Sequence, residues 1–170
     1  VIKAIGVARQ KLLFHRLNKT KNKQSLINFS ATLVGFFYCK NQGIFFHIGD
    51  GAGIAFKDGE YNHFVISEPE NGAFSCETYF YTMDDWQESL RFTNFENVNR
   101  VMLMTDGVTG FVFSGDFYKI HRNFLVPIVQ YLESESRKTY AVEASCNTLN
   151  NSKAQRINAD DNTILWAKLQ

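Results

Sequence analysis

Three aspartates in this chain stand where apolar runs break the surface. Asp50 follows "IFFHI", Asp106 follows "VMLMT", and Asp161 comes just before "TILWAKL". A carboxylate in that position has two uses. It can make a turn with its neighbour, and Asp-Gly or Asp-Asn pairs do so routinely. It can also hold a hard divalent cation once a second carboxylate comes within reach. Antiparallel pairing sets the exit end of one strand beside the entry end of its partner. Asp106 and Asp161 are therefore expected at one end of one sheet, on strands ~4.8 Å apart. Mg²⁺ or Mn²⁺ suits that spacing. Gly107 after Asp106, and Gly49 and Gly51 around Asp50, permit sharp backbone turns near an ion. Asn162 after Asp161 can tie the loop to nearby backbone. Each dipeptide is a weak signal alone, but three at matching strand ends form a pattern. Without a cation, carboxylates brought together raise one another's pKa.

Other chemistries lack their marks. There is no GxSxG elbow, no GxxxxGK[ST] loop, and no HExxH among the four histidines. "GDGAG" (49–53) has glycines but not the helix-opening context of a dinucleotide fingerprint. Cys39, Cys76 and Cys146 are odd in number and far apart, which suggests neither a zinc site nor a disulfide framework and fits a reducing cytoplasm.

The elements that must position the acids follow from periodicity. Ile2, Ile5, Ala8, Leu12 and Leu13 predict a helix over 1–17, with a polar connector at 18–25. Residues 26–39 and 44–48 predict a hairpin about "KNQG", with "IAF" (54–56) continuing beyond the glycines. Asp58-Gly59 predicts a two-residue hairpin into "YNHFVI". Residues 67–99 read as irregular, 101–105 as a strand and 163–169 as a closing strand. Helices are expected over 117–135, kinked or divided at Pro127, and over 139–152. Hairpin-linked strands with grouped helices predict an α+β fold with antiparallel sheet, in a single domain spanning 1–170.

A chain of 170 residues, 45% apolar with 16 phenylalanines, can bury a full core. No apolar run approaches the ~18 residues of a transmembrane helix. Net charge is +1, yet residues 1–49 carry eight Lys and Arg and no acid. That basic arm is expected to balance an acidic domain rather than bind nucleic acid, because no aromatic residues interleave its charges.

The motifs together resemble a known family. "FSATLVGFFYCKNQGIFFHIGDGAGIAFKDGEY", "LMTDGVTGF" and "ADDNTILWAKL" are similar, in order, to the segments of PPM-type metal-dependent protein phosphatases, also called protein phosphatase type 2C. "EPENGAFSCETYFYT" resembles the bacterial subgroup. The likeness runs over about residues 26–170. It implies two antiparallel sheets sandwiched between helix pairs. It also implies two Mg²⁺ or Mn²⁺ ions bridged by water, with Asp106 and Asp161 as ligands and Asp50 at the position of a third ion. The implied reaction is hydrolysis of phosphoserine and phosphothreonine in phosphoproteins by direct attack of the bridging water. The family's N-terminal acidic ligand, bridging Asp-Gly and phosphate-binding Arg have no match here, so the resemblance expects an N-terminally incomplete chain with those residues upstream. The alternative is a catalytically silent pseudophosphatase serving as a binding module for a regulatory partner.

Overall fold

The computed structural model describes residues 1–20, 29–57, 59, 61–72, 78–115, 117–158 and 160–169. The element order is α1 (Ile2–Thr20), β1 (Leu33–Cys39), β2 (Gln42–Ile48), β3 (Ala52–Phe56), β4 (Phe64–Ser67), β5 (Arg91–Glu96), β6 (Arg100–Met104), α2 (Asp106–Val112), α3 (Arg122–Ser134), α4 (Lys138–Leu149), α5 (Ser152–Ile157) and β7 (Ile164–Lys168). Two antiparallel sheets result. The first has the order β1-β2-β5 and the second β4-β3-β6-β7. The fold is α+β, as expected.

Alternation along the strands builds the layers. Phe45, Ala55, Phe95, Val101 and Leu103 meet between the sheets. Their sequence neighbours Ala52, Ile54, Phe56, Met102 and Met104 point the other way and pack under Val108, Val112, Leu125, Val129 and Leu149 of α2, α3 and α4. On the outer face of the first sheet, Ile48 packs with Ile5 of α1 and Trp86. The order is helix, sheet, sheet, helices. Each fully buried Leu, Ile, Met or Phe contributes roughly 1.5–3 kcal/mol by leaving water. Arg9 also turns inward. It is 8% exposed, donates to the Tyr81 and Met83 carbonyls, and lies 5.8 Å over the Trp86 ring. Part of the basic arm is thus a clamp on the 81–86 segment.

Several elements differ from expectation. Residues 67–99 contain β5, which pairs with β2 along Gln42↔Glu96 to His47↔Arg91. Phe92 and Phe95 are an odd spacing apart, so "RFTNFE" shows no alternation of apolar residues, although Phe95 is buried and Phe92 exposed. Residues 54–56 do not extend β2, because β3 crosses into the second sheet. α1 runs on to Thr20, and β1 begins only at Leu33. Residues 21–28 and Asp58 lie outside the described residues; β3 and β4 pair down to Phe56↔Phe64, so their connection spans 57–63. The helix expected over 117–135 begins at Arg122 and carries Pro127 inside it without dividing. The helix expected over 139–152 ends at Leu149, and Asn151 caps a separate α5 by accepting from the Lys153 and Ala154 amides.

One buried polar bond joins the two sheets. His47 on β2 is fully buried, and its Nδ1 lies 3.0 Å from Ser67 Oγ at the end of β4. Burial, followed by the nearby Arg91 guanidinium, lowers the His47 pKa to about 3. The folded protein therefore keeps this imidazole neutral while the unfolded chain takes a proton near pH 6.5. Protons favour the unfolded state between those values, so stability falls as the solution is acidified. Between pH 7 and 5 this group alone is expected to remove about 2 kcal/mol, at up to 1.4 kcal/mol per pH unit. Urea unfolding across that range checks it, and His47→Gln should flatten the slope.

Candidate active site

The strands bring one end of each sheet together. Leu33 opposes Ile48, and Arg91 opposes the adjacent His47; Ala52 opposes Met104, which opposes Ile164; Gly53 opposes Ser67. All three predicted aspartates leave or enter strands at that end.

Two glycines allow the loops to close up. A Cβ on Gly51 would lie 2.7 Å from the Met104 carbonyl oxygen, and one on Gly107 would lie 2.5 Å from the Asp161 carbonyl oxygen. The chain at 50–51 therefore rests on the end of β6, and the start of α2 rests on the 161–162 backbone. Gly49 has φ +105°, a region that favours glycine, and the side of its Cα is filled by Thr32 and the Tyr79 carbonyl.

Thr105 ties the closing strand to this point. Its amide donates to the Thr163 carbonyl at 3.1 Å, and its hydroxyl donates to the Asp161 carbonyl at 3.1 Å. The same hydroxyl oxygen accepts the Thr163 amide at 3.0 Å. Thr105→Val is expected to lose about 1–2 kcal/mol, since two hydrogen bonds go and a backbone N–H loses its partner. Hydrogen exchange at the Thr163 amide should quicken in that variant with β3–β4 pairing unaffected.

Asp106 opens α2, where its negative charge suits the helix N-terminus. That helix was not expected. "GVTGFVF" is rich in glycine and β-branched residues and reads poorly as helix. Val108, Phe111 and Val112 nevertheless fall at helical spacing and are buried. Thr109 and Asn158 brace the first turn by donating to the Asp106 and Gly107 carbonyls, at 2.8 and 3.1 Å.

The electrostatics single out Asp106. Its pKa is raised, first by burial, then by the charge of Asp50, and further by the charge and hydrogen bonding of Asp160; the Gly107 amide pulls the other way. Asp50 and Asp106 thus share one negative field. The neighbour from the third loop is Asp160, which the strand-end reading passed over. Asp161 is exposed; its carbonyl packs on Gly107 and accepts from Thr105, and its amide donates to an Asp160 oxygen at 2.8 Å. Asn162 donates to the Leu149 carbonyl at 3.4 Å, and its Oδ1 is buried with no hydrogen-bond partner beside Gly107. Asp160 was visible as the first Asp of "ADDN", whereas Thr105 gave no signal apart from the motif around it.

The donor types fit a hard divalent cation: carboxylate oxygens around Asp106, and an orphaned amide oxygen beside Gly107. Among the described residues, no group of three or more His, Cys, Asp or Glu is arranged to hold an ion. A groove of about 830 Å³ opens at the opposite end of the sheets beside Tyr38, Gln42 and Glu96, away from these acids.

Two stacked antiparallel sheets with helices on their outer faces are the architecture of the protein phosphatase 2C fold. The family model of protein phosphatase 2C matches residues 3–162, and the chain belongs to that family. Solved structures with the same fold include a bacterial serine phosphatase (12% identity, TM-score 0.57, covering 98% of this chain and 66% of that one). The serine/threonine phosphatase PstP/Ppp of Mycobacterium tuberculosis is similar at 16% identity and TM-score 0.50, over 83% of this chain and 60% of that one. The catalytic domain of PstP has also been solved in complex with two manganese ions. The serine-threonine phosphatase 2C of Toxoplasma gondii is similar at 12% identity and TM-score 0.54, over 95% and 63%. The chain spans 54–67% of the length of the bacterial serine phosphatases it matches. No curated protein matches it closely enough to count as a relative. No described helix is long and apolar enough to cross a membrane.

Proposed function

We propose that the strand ends of this chain carry a metal-dependent site that hydrolyses phosphoserine and phosphothreonine in phosphoproteins. The observation that carries the reading is the convergence of the 49–51, 104–107 and 160–163 segments, which places Asp50 and Asp160 in the field of Asp106. Asp106, Asp50 and Asp161 are the ligands of this reading, with Asp160 beside them. Bound Mg²⁺ or Mn²⁺ would lower the pKa of a coordinated water and neutralise charge developing on the phosphoryl oxygens. The chain's own work is positional. Gly51 and Gly107 let the three loops approach, Thr105 fixes the closing strand, and the buried face of α2 holds Asp106 at the sheet end.

The test is release of inorganic phosphate from a phosphoserine peptide by the protein, with Mn²⁺ added and then chelated. Release that depends on Mn²⁺ supports the reading, and no release under either condition overturns it. A second reading, a phosphatase-fold module that binds a regulatory partner without catalysis, rests on the absence of a three-ligand group among the described residues. Binding of the phosphopeptide without hydrolysis would favour it.

A further inference from the structure

Arg91 stands at the site end of β5, opposite His47 and two residues along from the turn that bears Gly49 and Asp50. Its side chain is 29% exposed and reaches three groups. Nη2 donates to the Gly49 carbonyl at 3.0 Å, and Nη1 donates to the Glu68 carbonyl at 2.6 Å. Nε lies 2.7 Å from a Glu70 carboxylate oxygen, an ion contact rather than an aligned hydrogen bond. The Glu70 amide donates to the same Gly49 carbonyl at 3.0 Å. The carbonyl just before Asp50 is thus held twice, once by a guanidinium and once by a strand-exit amide.

We propose that Arg91 is a positioning residue for the Asp50 carboxylate, holding the Gly49 carbonyl while Glu70 and Glu68 balance its charge. The inference rests on the metal-site reading above. Three observations support it. Gly49 adopts φ +105° and is walled in, so the direction of the chain into Asp50 is set at this residue. The carboxylate in contact with Arg91 is that of Glu70, and the two terminal nitrogens of Arg91 go to the Glu68 and Gly49 carbonyls, so the guanidinium is not spent on Asp50. Arg91 also joins the 68–70 loop to the site, and Lys could not replace it, since one ammonium lacks the planar fork that spans three acceptors. Partners that orient a metal ligand from behind are typically worth 10–100-fold in metal affinity.

The experiment titrates the protein with Mn²⁺ alone and follows paramagnetic broadening of the Gly51 and Gly107 amide signals. Arg91→Ala should raise the Mn²⁺ concentration for half broadening about ten-fold or more, and Arg91→Lys should recover less than half of that loss. Glu70→Gln should also raise it, because the guanidinium loses the carboxylate that fixes its fork on the Gly49 carbonyl. An unchanged midpoint in Arg91→Ala, with wild type binding Mn²⁺, overturns the inference and leaves the metal reading standing. No broadening of wild type at millimolar Mn²⁺ overturns both. If Arg91→Ala does not fold, Glu70→Gln decides, and an unchanged midpoint there overturns the inference.

Discussion

Asp106→Ala is expected to lower Mn²⁺-dependent phosphate release about a thousand-fold or more, equivalent to about 4 kcal/mol of transition-state stabilisation. Asp106 is the carboxylate on which the three loops bear, and both other acids in its field come from different segments. Removing it takes away the group that would join their ligands into one site. Stability should move the opposite way. A half-buried carboxylate whose pKa is raised by burial and by two like charges destabilises the metal-free fold. Asp106→Asn should therefore melt at or slightly above the wild-type temperature without metal while losing activity. A variant that keeps Mn²⁺-dependent turnover would refute the site, whatever its melting point.

Gly107→Ala should be the most damaging single methyl group at this end of the fold. The added carbon would meet the Asp161 carbonyl oxygen at 2.5 Å, the Asn162 Oδ1 at 2.9 Å and the Asp161 carbonyl carbon at 3.1 Å. Two of these are backbone atoms, held by Thr105 on one side and the start of β7 on the other. They cannot step aside as a flexible side chain could. Overpacking of this kind costs about 1–3 kcal/mol, and the fixed backbone puts Gly107 near 3. For a chain of this size that is a fall in Tm of about 6–12 °C, measurable by thermal denaturation. Gly110→Ala on the same helix, where nothing lies within 4 Å of the new carbon, should leave Tm unchanged or raise it.

These two residues show what could be read in advance. Asp106 was legible because an apolar run ending in Asp-Gly and another preceded by Asp-Asn must lie at one sheet end if they pair antiparallel, and Met104 does pair with Ile164. Gly107 was legible only as a turn former. Its role as the contact point of α2 on the 161–162 backbone depends on a distance between segments more than fifty residues apart. Arg91 and β5 were not legible, since β5 holds its place by pairing with β2 rather than by a hydrophobic pattern of its own. The helical state of 106–112 was hidden for a related reason: burial of Val108, Phe111 and Val112 overrides a weak local preference.

The order of short motifs along the chain, and the short apolar runs bounded by turn residues, determined the family, the antiparallel sheets and the positions of Asp50, Asp106 and Asp161 at strand ends. These are local properties, carried by residue type and period. Tertiary structure alone decided which acid approaches Asp106, which glycines let the loops touch, and which arginine holds the Gly49 carbonyl. Those depend on contacts of a few ångströms between distant segments, and only packing specifies a distance of that kind.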